Sequence, residues 1–189
     1  MFRLERMPTP LGELLIVTDE AANLRALEWE DHQRLGQSLQ LQYRNDTVRL
    51  QPAGSASDAR RALEAYFAGE LHAIDTVPVK TGGTPFQREV WAALRTIPVG
   101  TTVSYRALAA RLNRPQAMRA VGMANNANPT GVVVPCHRVI GADGSLTGYG
   151  GGLPRKRWLL EHEGVDFDRL DRSISCLPRN PPSAAPIIG

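Results

Sequence analysis

A chain of 189 residues and 20.7 kDa, 42% apolar, 22% charged and 6% aromatic, has the composition of one large or two small globular domains. Its longest uncharged apolar runs, 14–17 and 131–136, fall far short of the roughly 18–20 residues that cross a bilayer. The opening MFRLERMPTPLGE has no apolar stretch of a secretory signal, so the expectation is a soluble, cytoplasmic protein with no membrane partner. Two cysteines, Cys136 and Cys176, cannot build a disulfide framework, and with four scattered histidines they do not make a structural zinc set. The net charge of +3 is uneven: 1–82 hold 9 basic and 12 acidic residues, 83–165 hold 10 and 4, and 166–189 hold 3 and 3. A basic stretch of that length fits a phosphate backbone, although 20 arginines among 22 cations are also a mark of base composition.

Glu13–Thr18 and Leu24–Glu30, flanking a polar turn at Asp19–Asn23, read as a β-hairpin with one face on a core, and Asp46–Leu50 as a third strand. Ser57 is placed to cap a helix over Ala59–Ala68, with Ala62, Leu63, Tyr66 and Phe67 as its apolar stripe and Gly69 as its stop. TVPVKTGGTP (76–85) is a linker by composition, which divides the chain into domains 1–82 and 83–165. Thr84 then caps, and Pro85 opens, a helix carrying Phe86, Val90, Trp91 and Leu94. Ser104 caps Tyr105–Leu112, Asn113-Arg114-Pro115 breaks it, and Gln116–Asn125 forms a third helix. That outline fits a helix-turn-helix and an ordinary helical bundle equally well. The third helix is smooth, with Ala117, Ala120, Gly122 and Ala124 around a projecting Arg119. Such a surface suits a narrow groove read by shape, or tight helix packing. Beyond it, the VVV of 132–134 reads as buried extended chain, and 148–152 as a loop that lets backbone approach a ligand. Leu153–Glu163 is the last helix, and 166–189 is expected to be a disordered tail.

PCHR (135–138) sets a thiol beside an imidazole and a guanidinium. Nearby positive charge shifts a thiol toward the nucleophilic thiolate, so Cys136 is the candidate nucleophile and His137 its base, acting through a water. A third group should orient the imidazole; Glu163 and Glu161 are both candidates. A lone buried cysteine is more often structural, but proline before it, His and Arg after it, and a glycine-rich loop nearby reverse that preference.

NANP (126–129), VVVPCHRVIG (132–141), TGYGGG (147–152) and KRWLLEHEG (156–164), in this order and spacing, closely resemble the O6-alkylguanine-DNA alkyltransferases, or methylated-DNA–protein-cysteine methyltransferases. The openings LGELLIV, LRALEWE and TGGTPFQREVW extend the resemblance to the bacterial stand-alone form over about residues 1–165. It implies an α+β protein of two domains: a ribonuclease H-like α/β N-terminal domain and a mostly helical C-terminal domain with a helix-turn-helix. The function implied is DNA repair by single, irreversible transfer of the alkyl group of O6-alkylguanine, with O4-alkylthymine as second substrate, to Cys136. Double-stranded DNA is then the partner, bound through the minor groove with the damaged base flipped out, by a protein expected to be a monomer in solution with room for several copies on DNA. By resemblance, Arg119 fills the space of the flipped nucleotide, and Ala117, Ala120 and Gly122 line the DNA-facing helix. Tyr105 bonds guanine N3, Glu163 orients His137, and Asn128 braces the active-site turn. The guanine pocket takes Tyr105, the carbonyls of Cys136 and Val139, Tyr149 and the N–H of Gly150.

Three departures stand out: Gly150 replaces a common serine, Gly131 the proline of the human-type protein, and Met118 a small residue. The zinc ligands of the human-type N-terminal domain are not matched, so no metal and no cofactor are expected. A damage-sensing binder without the acceptor is disfavoured by Cys136, since such proteins usually carry tryptophan there. A cysteine hydrolase and a transcription factor are the remaining rivals, the first marked by sustained turnover and the second disfavoured by alanine where base-reading side chains belong.

Overall fold

The computed structural model describes residues 1–44 and 48–166; the tail from 167, including Cys176, lies outside them. The chain is an α+β protein. Strands β1 (Phe2–Thr9), β2 (Gly12–Thr18), β3 (Leu24–Trp29) and β4 (Leu50–Pro52) form one sheet in the order β3-β2-β1-β4. The first three run antiparallel and β4 lies parallel to β1. Helices α1 (His32–Gln42) and α2 (Asp58–Phe67) flank the sheet.

The hairpin of β2 and β3 is present, but both its faces are buried. Leu14 and Ile16 of β2 join Leu63 and Tyr66 of α2, while Leu15 and Val17 join Leu35 and Leu39 of α1. The expectation of a single core face is corrected by α1, a segment for which the sequence offers no reading. Asp31 caps it by accepting from the N–H of Arg34 at 2.9 Å. Strand β1 was also not expected. Its inward positions include Met7 and a charged residue, Glu5, which is 6% exposed and accepts from the N–H of Ser57 at 3.1 Å. That contact ties β1 to the start of α2. The third strand forms at Leu50–Pro52 and meets the expected Asp46–Leu50 only at its end; residues 45–47 lie outside the described ones.

The second half holds α3 (Pro85–Leu94), β5 (Val103–Ser104), α4 (Tyr105–Arg111), α5 (Met118–Asn126), β6 (Val139–Ile140) and α6 (Leu153–His162). Thr84 and Gln87 make a reciprocal capping box at α3, as cap and stripe led one to expect. Helix α5 begins two residues late, after a 3-10 turn at Pro115–Ala117. Val90, Trp91, Leu94, Leu108 and Val121 pack these helices on one another, and the Trp91 indole donates to the Ala124 carbonyl at 2.8 Å. Strand β5 pairs in parallel with β6, Val103 opposite Val139, and so holds the chain leaving PCHR.

Residues 132–134 are buried but not extended. The N–H groups of Val133 and Val134 turn back onto the Gly131 and Thr130 carbonyls, and Val132 sits at φ 71°, a left-handed conformation that valine rarely adopts. The turn is forced because the chain must reverse between α5 and PCHR inside the core. Val132, Val133 and Leu159 of α6 belong to the same apolar cluster as the sheet residues Met7, Leu14 and Leu24.

Candidate active site

Cys136–Arg138 form a single 3-10 turn between the buried valines and β6. Asn128, just beyond α5, braces the turn before it. Its Nδ2 donates to the Val134 carbonyl at 2.8 Å, and its Oδ1 accepts from the N–H of Thr130 at 3.1 Å. Asn125, in the last turn of α5, donates to the Cys136 carbonyl at 3.4 Å. The thiol is thus held at the floor between α5 and α6.

Of the two candidate orienting groups, the geometry selects Glu163. His137 Nε2 lies 2.9 Å from Glu163 Oε1, whereas Glu161 pairs with Arg157 on the surface. Glu163 also accepts from Arg138 Nε at 2.8 Å, from Arg138 Nη2 at 2.9 Å and from the Tyr66 hydroxyl at 2.9 Å. Burial alone would raise its carboxyl, but the bonds from His137 and Arg138 outweigh it and hold the group well below the usual carboxylate range. Burial pushes the His137 imidazole down, so the ring is neutral and its Nε2 carries the proton toward the carboxylate. Its Nδ1 is buried and has no hydrogen-bond partner.

The thiol departs from the sequence expectation. Cys136 is 6% exposed, and burial pushes it up; the Asn128 hydrogen bond and the Lys156 charge pull the other way without reversing the shift. The Arg138 guanidinium, two residues on in sequence, is committed to Glu163 and to the Ile97 carbonyl. The resting group is therefore a thiol whose proton must be taken at the moment of reaction.

Beside the sulfur lies a cavity of about 50 Å³, lined by Cys136, Asn125, Asn128, Gly131, Gly148, Tyr149 and Gly150, and by Leu27, Trp29 and Arg34 of the sheet half. A side chain at Gly131 would stand 3.7 Å from the Tyr149 hydroxyl and 4.0 Å from Sγ, so glycine there keeps the wall open. The Tyr149 hydroxyl and Asn125 Oδ1 are, with His137 Nδ1, the unpartnered buried side-chain polar atoms among the described residues. Arg34 lines the cavity and donates to the Gly150 carbonyl at 2.6 Å; Tyr105, expected in the pocket, does not line it, and its hydroxyl lies 3.4 Å from each of the Thr147 and Gly148 carbonyls of the loop. A wider groove of about 630 Å³ between α1 and α3 shares Glu28, Arg34, Asn126 and Asn128 with it. Val139 does not line the cavity. Its side chain is buried, and its carbonyl accepts from Lys156 Nζ at 2.5 Å; the same ammonium donates to the Thr147 carbonyl at 2.6 Å. Burial brings Lys156 down to about 8.

Arg119 and Ala120 are exposed on α5, outside the cavity, and Ala117 precedes the helix half-buried. Gly122 packs beside the Tyr105 ring. Met118 is 42% exposed, which places it on the surface of the helix and not in the core, and Met123 is 76% exposed. Among the described residues no group of three or more His, Cys, Asp and Glu is placed to hold a metal ion, and no helix is long and apolar enough to cross a membrane. Tyr66, Arg34 and Lys156 escaped the sequence reading. Lys156 had one available signal: it and Lys80 are the only lysines in a chain of 20 arginines.

Residues 85–165 match the 6-O-methylguanine DNA methyltransferase, DNA binding domain, and residues 3–81 match the ribonuclease-like domain of the same family. The chain belongs to the 6-O-methylguanine DNA methyltransferase family. Within the family, a Salmonella typhimurium methylated-DNA–protein-cysteine methyltransferase is 54% identical over 167 residues, 87% of this chain and 98% of that relative. A Mycobacterium bovis relative of the same name is 57% identical over 110 residues, 58% of this chain and 66% of its own. Among solved structures, Mycobacterium tuberculosis OGT in complex with DNA superposes with a TM-score of 0.70 at 41% identity, covering 91% of this chain and 98% of that one. An O6-methylguanine-DNA methyltransferase from Pyrococcus kodakaraensis gives 0.67 at 28% identity, with 87% and 100% covered. The family's DNA-binding domain is the part of this chain that contains PCHR and α3 to α6.

Proposed function

We propose that this chain repairs duplex DNA by moving the alkyl group of O6-alkylguanine, and of O4-alkylthymine, onto Sγ of Cys136 in one irreversible event. The relation to methylated-DNA–protein-cysteine methyltransferases supports repair by alkyl transfer. The observation that carries the reading to Cys136 is the buried set around it. His137 Nε2 is committed to Glu163, Nδ1 is unpartnered, and the sulfur lines a cavity with room for water.

His137, which does not itself line the cavity, accepts the thiol proton at Nδ1 through a bridging water, and the sulfur attacks the alkyl carbon. A C–S bond forms, the C–O bond breaks, and its electron pair stays on the guanine oxygen. Tyr105, at the start of α4, donates toward guanine N3 and so neutralises the departing base. Tyr149 and the Gly150 N–H receive the ring and O6, and the Cys136 carbonyl accepts from the amino group, whereas the Val139 carbonyl stays on Lys156 outside the cavity. The product thioether is a poor leaving group, so each molecule acts once.

A stacked base cannot present its O6 substituent to a sulfur that is 6% exposed, so the nucleotide is flipped out and the 147–151 loop yields to admit it. Helices α4 and α5 act as a helix-turn-helix in the minor groove. Exposed Ala120 allows close approach there, with Ala117 and Gly122 flanking it, and Arg119 enters the vacated stack. The test is a duplex carrying isotope-labelled O6-methylguanine. Label should reach the Cys136 peptide at one equivalent per protein and be absent from Cys136→Ser. Label on Cys176, or continued turnover, would overturn the reading.

A further inference from the structure

We propose that Tyr66, on α2, is a positioning residue for proton transfer at His137: its hydroxyl shares Glu163 Oε1 with the imidazole and so limits how tightly the carboxylate holds a proton on the ring. The inference rests on the reading of His137 as the base. By sequence Tyr66 is only one member of an apolar stripe, and a phenylalanine would fill that stripe as well. The hydroxyl is what needs a reason, because a buried hydroxyl is unfavourable unless bonded. Its bond is to Glu163 Oε1 at 2.9 Å, across 97 residues of chain and from the other half of the fold.

A carboxylate offers about two lone-pair positions on each oxygen, and the load here is uneven: Arg138 Nε alone is on Oε2, while Arg138 Nη2, His137 Nε2 and Tyr66 share Oε1 and compete for it. Tyr66 remains a neutral donor, since burial and the adjacent carboxylate both push its ionisation far up. It is also fixed in place: His162, next to Glu163, bonds the Tyr66 carbonyl at 2.8 Å, and the two rings meet edge to face at 5.2 Å. The charged groups acting on His137 are Glu163 and Lys156 of α6 and Arg138 of its own turn, with Tyr66 of α2 behind Glu163. Only Glu163 favours the imidazolium. A carboxylate relieved of one donor is a better acceptor from the imidazolium, so loss of the Tyr66 hydroxyl raises the pH at which His137 takes up a proton.

The test is Tyr66→Phe in the full chain, which keeps the ring and removes the oxygen. Imidazole nitrogen resonances of His137, followed by NMR across roughly pH 5 to 9, should titrate with a midpoint about half a unit higher than in the parent. The acidic limb of methyl transfer from O6-methylguanine duplex should move up with it, while the rate on the alkaline plateau stays within about twofold. A His137 titration that is unchanged or absent in both proteins overturns the proposal, as does a rate lowered equally at every pH, the mark of a merely structural tyrosine. Failure of the parent protein to take up any label would instead sink the proposed function, so the two outcomes are separable.

Discussion

Glu163 Oε1 lies 2.9 Å from His137 Nε2, and this one contact decides that the opposite ring nitrogen, Nδ1, is the one left to receive a proton. Glu163→Gln replaces the acceptor by a group that can hold either tautomer and leaves the buried Arg138 without a counter-charge. Methyl transfer measured in a single turnover should fall by about 100-fold or more. Unfolding in urea should show a loss of about 3–5 kcal/mol, as expected when one partner of a buried pair is removed.

Stability should fall on the acid side in two stages. His137 is held below its usual 6.5 and Glu163 below its usual 4.5, so in both cases the unfolded chain binds the proton more readily. Their contribution is complete above the unfolded values and is lost as pH falls through each. The calorimetric midpoint should therefore decline from about pH 6.5 downward and steepen below about 4.5. In Glu163→Gln the second stage should be shallower but present, since Asp19 and Asp143 are also held below the usual carboxylate value.

Because burial raises the Cys136 thiol, little thiolate exists in the free protein at neutral pH. Labelling of Cys136 by iodoacetamide, read by peptide mass spectrometry, should be slow at neutral pH and rise by about tenfold per unit to beyond pH 9. Lys156→Gln removes the cation that draws the thiol down, so labelling below about pH 8, where that ammonium is charged, should be slower still. A fast, pH-independent reaction at neutrality would contradict the buried thiol.

Arg119→Ala should separate flipping from chemistry. Transfer from a methylated duplex should drop by roughly 10- to 100-fold, the equivalent of a few kcal/mol of unstacking. Transfer from the free O6-methylguanine base, which needs no flipping, should stay within about twofold. Equal loss on both substrates would remove Arg119 from the flipping step.

Local signals carried well into the structure. Thr84-Pro85 and Ser57 marked helix starts because a cap is a contact between near neighbours, and PCHR announced its chemistry because thiol and imidazole are adjacent. Strand β1 was hidden by its charges: Arg3, Glu5 and Arg6 read as surface, yet Glu5 points inward to the Ser57 N–H. Helix α1 was hidden by its thin stripe, with Leu35 and Leu39 buried but Leu41 exposed. At the site, local pattern left Glu163 and Glu161 both open, since they lie on the same helical end, and only the resemblance named Glu163. Tyr66 and Arg34 reach the site from 70 and 102 residues before Cys136 in the chain, through contacts that no local pattern encodes. Arg138 misled for a similar reason. Adjacency put its charge beside the thiol, whereas folding turned it to Glu163.

The apolar cluster beneath the sheet has one further consequence. Val132, Val133 and Leu159 sit in it beside Met7, Leu14, Leu24 and Tyr66, so the halves on either side of the 76–85 connection share their interior. Cutting the chain there would bare an oily seam on each fragment and strip Glu163 of its phenol. What looks modular along the sequence is inseparable in three dimensions: neither piece is an interchangeable cassette, and the reactive sulfur depends on strands that contribute no reactive atom of their own.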